Sequence, residues 1–422
     1  MHTGSYAHKN KIVLVLFIIG VVLTACSQLD ATESPAAPRL LTLTPSATAN
    51  VLPVETATST VVAPTEAPTE PPPPTDPPAA PTEVVEPPTE PSPEPTQDPW
   101  PPELAVPGRS KIGLHVILNE DVRILEFVRR TKPSVIKTVD NFHWLADVKS
   151  ISPQTVTIGR HTQVPNRDIL DNKDPAQYPD PAQFAADFIN LYLSDFQAHP
   201  YVDYWEGWNE FPPSSPSRWD WYTHFEAARA CQMRDLGLNA AVGGFSAGTP
   251  EYIDMARFLP AIEAIQRCGG IFTLHEYSAP TMQSGVAAGI PNAPESLKDR
   301  AGSLTLRYRY WYEGYLKPRG LTVPLVISEA GIDGWVGEGC PLDPRQGWYG
   351  CTSTWESLGL EGPAWQVFMN QINWYDYELQ QDDFVIGMAL FTAGTSHVAD
   401  WATFNMNDML VPLAVSMADQ TQ

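Results

Sequence analysis

From Lys111 onward the chain alternates short apolar runs with longer amphipathic stretches. The runs are Ile112–Ile117, Val135–Val139, Val156–Arg160, Val202–Trp208, Ala240–Phe245, Ile271–Tyr277, Leu325–Ser328 and Val385–Phe391. Their length and their content of branched residues fit buried strands. Between them, apolar positions recur at helical spacing. One such stretch opens at Asn119 and is expected to bury Val122, Leu125 and Val128. Another places Asp180 before Pro181: an Asp side chain accepts the free amides of a first turn, and proline's fixed φ suits that position. A third runs from Pro216 to Leu236 and stops near Gly237. Pro250 and Pro363 sit at similar starts. Eight strand-then-helix repeats predict parallel strands with right-handed crossovers. The expected fold is α/β, a closed (β/α)8 TIM barrel. An open doubly wound sheet is the alternative, but Gly113-Leu114-His115-Val116 is not the Gly-rich phosphate loop such a sheet carries after its first strand.

The first hundred residues follow another pattern. Lys9 and Lys11 precede an apolar stretch, Ile12 to Leu23, too short for a comfortable membrane span, which takes about 20 residues. Leu23-Thr24-Ala25-Cys26 follows, and it resembles the lipobox of bacterial lipoproteins. That resemblance implies cleavage before Cys26 and a lipid on its sulfur. An ordinary cleaved signal or an uncleaved anchor is the alternative. From Ala31 to Pro102 the chain holds 21 of the 43 prolines, and Arg39 is its only basic residue. Such a stretch has too few apolar side chains to offset the entropy of ordering, and its proline runs fit neither helix nor sheet. The expected organisation is a signal peptide over 1–25, a lipid-anchored disordered Pro/Thr/Glu-rich stalk over 26–102 and one (β/α)8 domain over 103–422. The expected location is the outer face of a bacterial cell envelope.

The formal net charge is −23. A chain this acidic repels nucleic acid and anionic lipid, so membrane contact is expected only through the anchor. A monomer is expected. Outside the leader four cysteines remain, an even number that suits disulfides in an oxidising compartment. Cys340 and Cys351 bracket a short Gly/Pro-rich loop and are paired first, which leaves Cys231 with Cys268. Four free thiols are the alternative. No Cys/His spacing suggests zinc. No metal and no cofactor is expected.

In a parallel barrel, chemistry gathers at the C-terminal ends of the strands. The fourth apolar run leads into Tyr204-Trp205-Glu206-Gly207-Trp208-Asn209-Glu210, and the seventh into Ser328-Glu329-Ala330-Gly331. A carboxylate ending a buried strand is costly unless it is paired or used. Two carboxylates facing each other are what glycosidic cleavage requires. Trp208-Asn209-Glu210 and Ile327-Ser328-Glu329, with His275-Glu276-Tyr277 between them, resemble the signatures of clan A glycoside hydrolases. The resemblance covers about residues 111–405. It implies a retaining glycosidase acting on a poly- or oligosaccharide, with Glu210 as acid/base and Glu329 as nucleophile. It also implies that Asn209 binds the sugar 2-hydroxyl, that Tyr277 orients Glu329 and that His275 lines the subsite. Phe211 departs from the proline that often follows the acid/base residue. Arg160, His161 and His115 are candidates for the clan's remaining polar contacts.

Aromatic faces stack on sugars. Trp401, after the eighth run, and Trp335, after Glu329, are the candidate subsite floors. Trp205, Trp208 and Trp348 are assigned to packing. Two other readings stay open. A barrel that binds glycans without cutting them fits the same leader and stalk. Gly244-Phe245-Ser246-Ala247-Gly248 has the GxSxG form of serine hydrolases, with Asp333 and His397 in the matching order. Against it, Thr249 and Pro250 separate the serine from the next helix. His275-Glu276 begins like a zinc-protease motif, but Ala279 stands where the second histidine belongs.

Overall fold

The computed structural model describes residues 98–162, 178–211, 213–286, 289–337, 339–343, 347–395 and 399–420. The leader, Cys26, all but the end of the stalk and His397 lie outside the described residues. Eight parallel strands close into a barrel in sequence order. They are β1 (Ile112–Val116), β2 (Val135–Val139), β3 (Val156–Arg160), β4 (Tyr204–Glu206), β5 (Ala240–Phe245), β6 (Ile271–Ser278), β7 (Leu325–Ile332) and β8 (Val385–Ala393). β1 pairs with β8 and completes the ring. The helices are α1 (Val122–Thr131), α2 (Leu145–Ile151), α3 (Pro181–Ala198), α4 (Pro216–Asp235), α5 (Tyr252–Met255), α6 (Leu259–Cys268), α7 (Tyr308–Trp311), α8 (Thr352–Ser357), α9 (Ala364–Leu379) and α10 (Leu410–Asp419). The expected (β/α)8 barrel is therefore the observed fold.

Local signals explain most of the helix starts. Asp180 accepts from the amides of Ala182 and Gln183 with Pro181 in the first turn, and Ser215 caps α4 in the same way. α1 corrects the expected face. Asp121 caps the helix, Ile124, Phe127 and Val128 are buried, and Val122 is 88% exposed. The apolar stripe is thus rotated, because the helix begins three residues later than Asn119. β4 is shorter than its apolar run: only Tyr204–Glu206 pairs, and Trp208 packs on Phe184, Phe188 and Phe225 of the helical layer. β7 is longer than its run, so Glu329 lies within the strand. Trp205, Trp208 and Trp348 are buried as assigned. Both disulfides form as paired, Cys231–Cys268 and Cys340–Cys351.

The barrel interior is stratified. Val135, Ile158, Ala241, Ile271, Val326 and Ala389, one from each of six strands, pack into a dry apolar layer. Successive inward side chains along a strand are two residues apart. The next layer up therefore receives Lys137 from β2 and Arg160 from β3, and the floor beneath them is closed to water.

β7 breaks that alternation in a way that matters. Counting by two from Val326 points Ser328 inward and Glu329 outward. The β6–β7 register shifts between Leu274 and His275, so that Ile327 pairs Leu274 and Glu329 pairs His275. The β7–β8 register shifts over the same stretch. An extra residue in one strand re-aims the side chains beyond it. Glu329 thereby joins the interior.

On the outer side of β6, Glu276 ties the barrel to the segment before α7. It accepts from the amides of Leu306 (2.6 Å) and Tyr308 (3.0 Å) and from the Tyr375 hydroxyl (2.7 Å). Alternation along β6 thus turns Glu276 away from His275, which disposes of the zinc-protease motif. Burial, the dominant influence, pushes the Glu276 pKa up to about 7 against those three donors. A raised carboxyl pKa means that its stabilising contribution is complete below the ordinary value of 4.5 and is lost as pH rises through about 7. The unfolding free energy of the wild-type protein, read from urea titrations, should fall between those two pH values by about 3 kcal/mol at most. Glu276→Gln, which does not ionise, should flatten that slope; an unchanged slope would assign it to another group.

Candidate active site

Polar side chains converge at the C-terminal mouth of the barrel. After β4 the chain does not continue as strand. Glu210 donates its amide to the Gly244 carbonyl at 2.9 Å and adopts a φ of +51°. A non-glycine residue held in the left-handed region costs on the order of 1–3 kcal/mol and persists only where its surroundings fix it. The turn sends the Glu210 side chain over the mouth. There its Oε1 lies 2.8 Å from His275 Nδ1, with the side chain 37% exposed.

Glu329 faces it from β7, with a side chain only 9% exposed. The Tyr277 hydroxyl donates to its Oε2 at 3.0 Å. Lys137 Nζ donates to its Oε1 at 3.0 Å, and His115 Nε2 lies 4.0 Å from the same oxygen. His275 Nδ1 is 3.6 Å from Oε2. One oxygen of Glu210, one oxygen of Glu329 and a nitrogen of His275 all lie within 4.8 Å of one another. Burial alone would raise the Glu329 pKa. The positive field of His275, Lys137 and Arg160 outweighs burial and holds the carboxyl well below its ordinary value.

Lys137 is the residue that reading the sequence passed over. It is completely buried on β2, and Nζ reaches Glu206 Oε2 of β4 at 2.7 Å as well as Glu329. Arg160 Nε stands 3.9 Å from the same Glu206 oxygen. Burial is the largest influence on Glu206 too, yet Lys137, His275 and Arg160 bring its pKa down to about 2. The signal was present in Val135-Ile136-Lys137-Thr138-Val139: a lysine centred in a buried strand is almost never unpaired.

Two adjoining cavities open above these groups. One of about 180 Å³ is lined by Glu210, Tyr277, Glu329, Asp333 and Phe404 among others. The other, about 530 Å³, extends over His115, Asp140 and Thr162. Arg160, Asn209, Phe391 and Trp401 line both. Trp401 is 40% exposed and stands edge-on to Phe391, with centroids 5.1 Å apart. Cavities of this size suit small ligands or chain segments.

The expected site residues divide accordingly. Glu210, Glu329, Asn209, Tyr277, Trp401 and Arg160 come together around the cleft. His275 is buried between the two carboxylates, where it bonds Glu210 instead of lining the subsite. His115 lies beside Glu329, stacked on Phe391, and burial, with Lys137 adding to it, drives its pKa down to about 3, so the ring is neutral. Two candidates are corrected. Trp335 is 63% exposed and does not line these cavities. The chain turns at Asp333, whose carboxylate accepts the Trp335 amide at 2.9 Å, and it is Val336 that packs on the cluster of Tyr277, Phe391 and Phe404. His161 points into the helical layer. It stacks on Tyr192 at 4.2 Å and pairs with Asp195 at 3.0 Å, because it follows Arg160 by one residue and takes the opposite side.

The serine alternative gains nothing here. Ser246 Oγ is 3.2 Å from Thr249 Oγ1, and Asp333 lines the carboxylate cavity. Glu210, His275 and Glu329 are of metal-binding types. However, a cation held by Glu329 would sit beside the Lys137 ammonium already bonded to that carboxylate, so like charges oppose it.

No family model and no curated protein matches the chain. Solved structures similar to it include a family 39 glycoside hydrolase from Bacteroides cellulosilyticus WH2, at 11% identity and a TM-score of 0.47, over 74% of this chain and 64% of that one. Another is an endo-β-1,4-glucanase from Xanthomonas axonopodis pv. citri, at 12% identity and 0.40, over 72% and 94%. A third is an endo-β-1,4-mannanase from Thermotoga petrophila, at 12% and 0.38, over 74% and 76%. At such identities and scores these likenesses carry no functional weight, and the functional assignment rests on the geometry of the cleft.

Proposed function

We propose that the protein is a glycoside hydrolase that cleaves a poly- or oligosaccharide with retention. The observation that carries this reading is the pair Glu210 and Glu329, one oxygen of each lying within 4.8 Å of the other across the cleft. Retaining enzymes hold their carboxyl groups about 5–5.5 Å apart, whereas inverting enzymes leave about 6.5–9.5 Å for a water. So close an approach supports retention over inversion.

In the first step a Glu329 oxygen attacks the anomeric carbon and forms an ester bond. The bond to the leaving oxygen breaks, and that oxygen takes its electron pair and a proton from Glu210. In the second step Glu210 removes a proton from water. The water oxygen bonds the anomeric carbon and the ester electrons return to Glu329. Glu329 suits the nucleophile because its surroundings keep it ionised. Glu210 suits proton transfer because it reaches solvent and hydrogen-bonds His275. Asn209 is placed beside Glu210 to meet a sugar hydroxyl, and Trp401 offers an aromatic wall for a sugar face.

We also propose a monomeric, lipid-anchored enzyme on the outer face of a bacterial envelope. The Leu23-Thr24-Ala25-Cys26 sequence supports it, and so do two disulfides, which persist in oxidising compartments.

A panel of 4-nitrophenyl glycosides tests the chemistry. Glu329→Gln should reduce release of nitrophenol to background while circular dichroism stays native; full activity in that variant would overturn the nucleophile assignment. Glu210→Ala should slow turnover by about 10²–10⁴-fold, with the loss falling on the second step, because nitrophenolate departs without a proton. Proton NMR of the first product should show the substrate's own anomeric configuration; the opposite anomer would make the mechanism inverting.

Trp401→Ala should raise KM for an oligosaccharide more than it lowers kcat, since a stacking surface acts on binding in ground and transition states alike. An unchanged KM would remove Trp401 from the subsite.

A further inference from the structure

We infer that Lys137 and Glu206 form an internal counter-ion couple that positions Glu329 and balances its charge as that charge is lost and regained in the catalytic cycle. The inference rests on the reading of Glu329 as nucleophile. Its ground is geometric. A fully buried ammonium on β2 lies 2.7 Å from Glu206 on β4 and 3.0 Å from Glu329 on β7. Three strands, a quarter of the barrel's circumference or more apart, thus meet at one nitrogen. Neither Lys137 nor Glu206 lines the cleft beside the carboxylates, so their work is done through Glu329 and not on the sugar.

The stoichiometry explains why Glu206 is there. When Glu329 is ionised, Lys137 serves two carboxylates. When Glu329 is an ester to the sugar, it carries no charge, and a lone buried ammonium would be left without a counter-ion. Glu206 keeps Lys137 paired and in place at that stage. As the ester breaks, the same ammonium receives the charge returning to the leaving carboxylate, with no reorganisation. Glu206 also draws on Lys137 in the free enzyme and so moderates its pull on Glu329.

Other groups face Glu329 and must be held constant. These are His275 and Tyr277 from β6, His115 from β1, Arg160 from β3, Glu210 after β4 and Asp333 after β7. The couple predicts opposite effects from its two members, which a merely structural role would not produce. An opposite charge within about 4–6 Å moves a carboxyl by roughly 1–3 pH units. Lys137→Met should therefore move the titration of Glu329 up by that amount, and Lys137→Arg should bring it back. Glu206→Gln should move it down.

The titration is read by infrared difference spectroscopy of the carboxyl band, with Glu329→Gln identifying the signal, and no substrate is needed. The acid limb of kcat/KM on the 4-nitrophenyl glycoside cleaved fastest should move in step. If Lys137→Met fails to fold because two glutamates are left uncompensated, the double variant Lys137→Met/Glu206→Gln removes the couple as a neutral unit and should still raise the titration. A folded double variant with the wild-type titration overturns the inference. A moved titration in a protein that cleaves no glycoside upholds the couple and overturns the glycosidase reading instead.

Discussion

The mouth of the barrel is governed by the cost of burying charge. Lys137, Glu206, Arg160 and Glu329 are all withdrawn from water, and an ion moved into a protein interior loses several kcal/mol of hydration even after relaxation. The four are sustained only because they lie against one another. Lys137 touches both carboxylates, and Arg160 approaches Glu206 from the next strand. Breaking such an arrangement by removing one partner costs about 3–5 kcal/mol. The register of β2, β4 and β7 therefore has to be right at the same level of the barrel, and the rest of the site is built on that level.

Two features of the backbone set it. The apolar layer of Val135, Ile158, Ala241, Ile271, Val326 and Ala389 lies beneath the charges and keeps water from reaching them from below. The shifted register of β7 then turns Glu329 into the interior, beside Tyr277 and Lys137. Without the extra residue Glu329 would face the helices, and Ser328 would stand in its place. The strand irregularity is thus as much a part of the site as the side chain it delivers.

How much of this was legible beforehand follows from the same physics. Eight apolar runs of strand length gave the barrel, because a strand buried on both faces reads as continuous hydrophobicity. The carboxylates were visible because a charge ending such a run is anomalous. Lys137 was equally anomalous and was missed, because it sits inside its run, where a single lysine is easily absorbed into a strand. The placement of Glu329 within β7 was not readable, since a bulge leaves no mark in the pattern of apolar residues. Trp335 and His161 failed for a related reason. Proximity in sequence to Glu329 or Arg160 says nothing about direction once the chain turns or alternates. Asp333 was noticed for the wrong chemistry: its position in the cleft comes from the length of β7, which the run Leu325–Ser328 did not reveal.

The two carboxylates are not equivalent, and the division of work proposed for them follows the difference in their surroundings. Glu329 is buried and receives donors on both oxygens, Lys137 on one and Tyr277 on the other. Each of those bonds favours the ionised form, so the group is prepared to attack and ill suited to carry a proton. Glu210 sits on a turn with a φ of +51°, is more than a third exposed, and is tied to one histidine. Water reaches it, and a proton on its oxygen meets no fixed ammonium nearby in contact. A group that must give up a proton in one step and take one from water in the next needs that access. Under the proposed mechanism, exchanging the roles would demand a proton on the carboxylate that the barrel keeps charged.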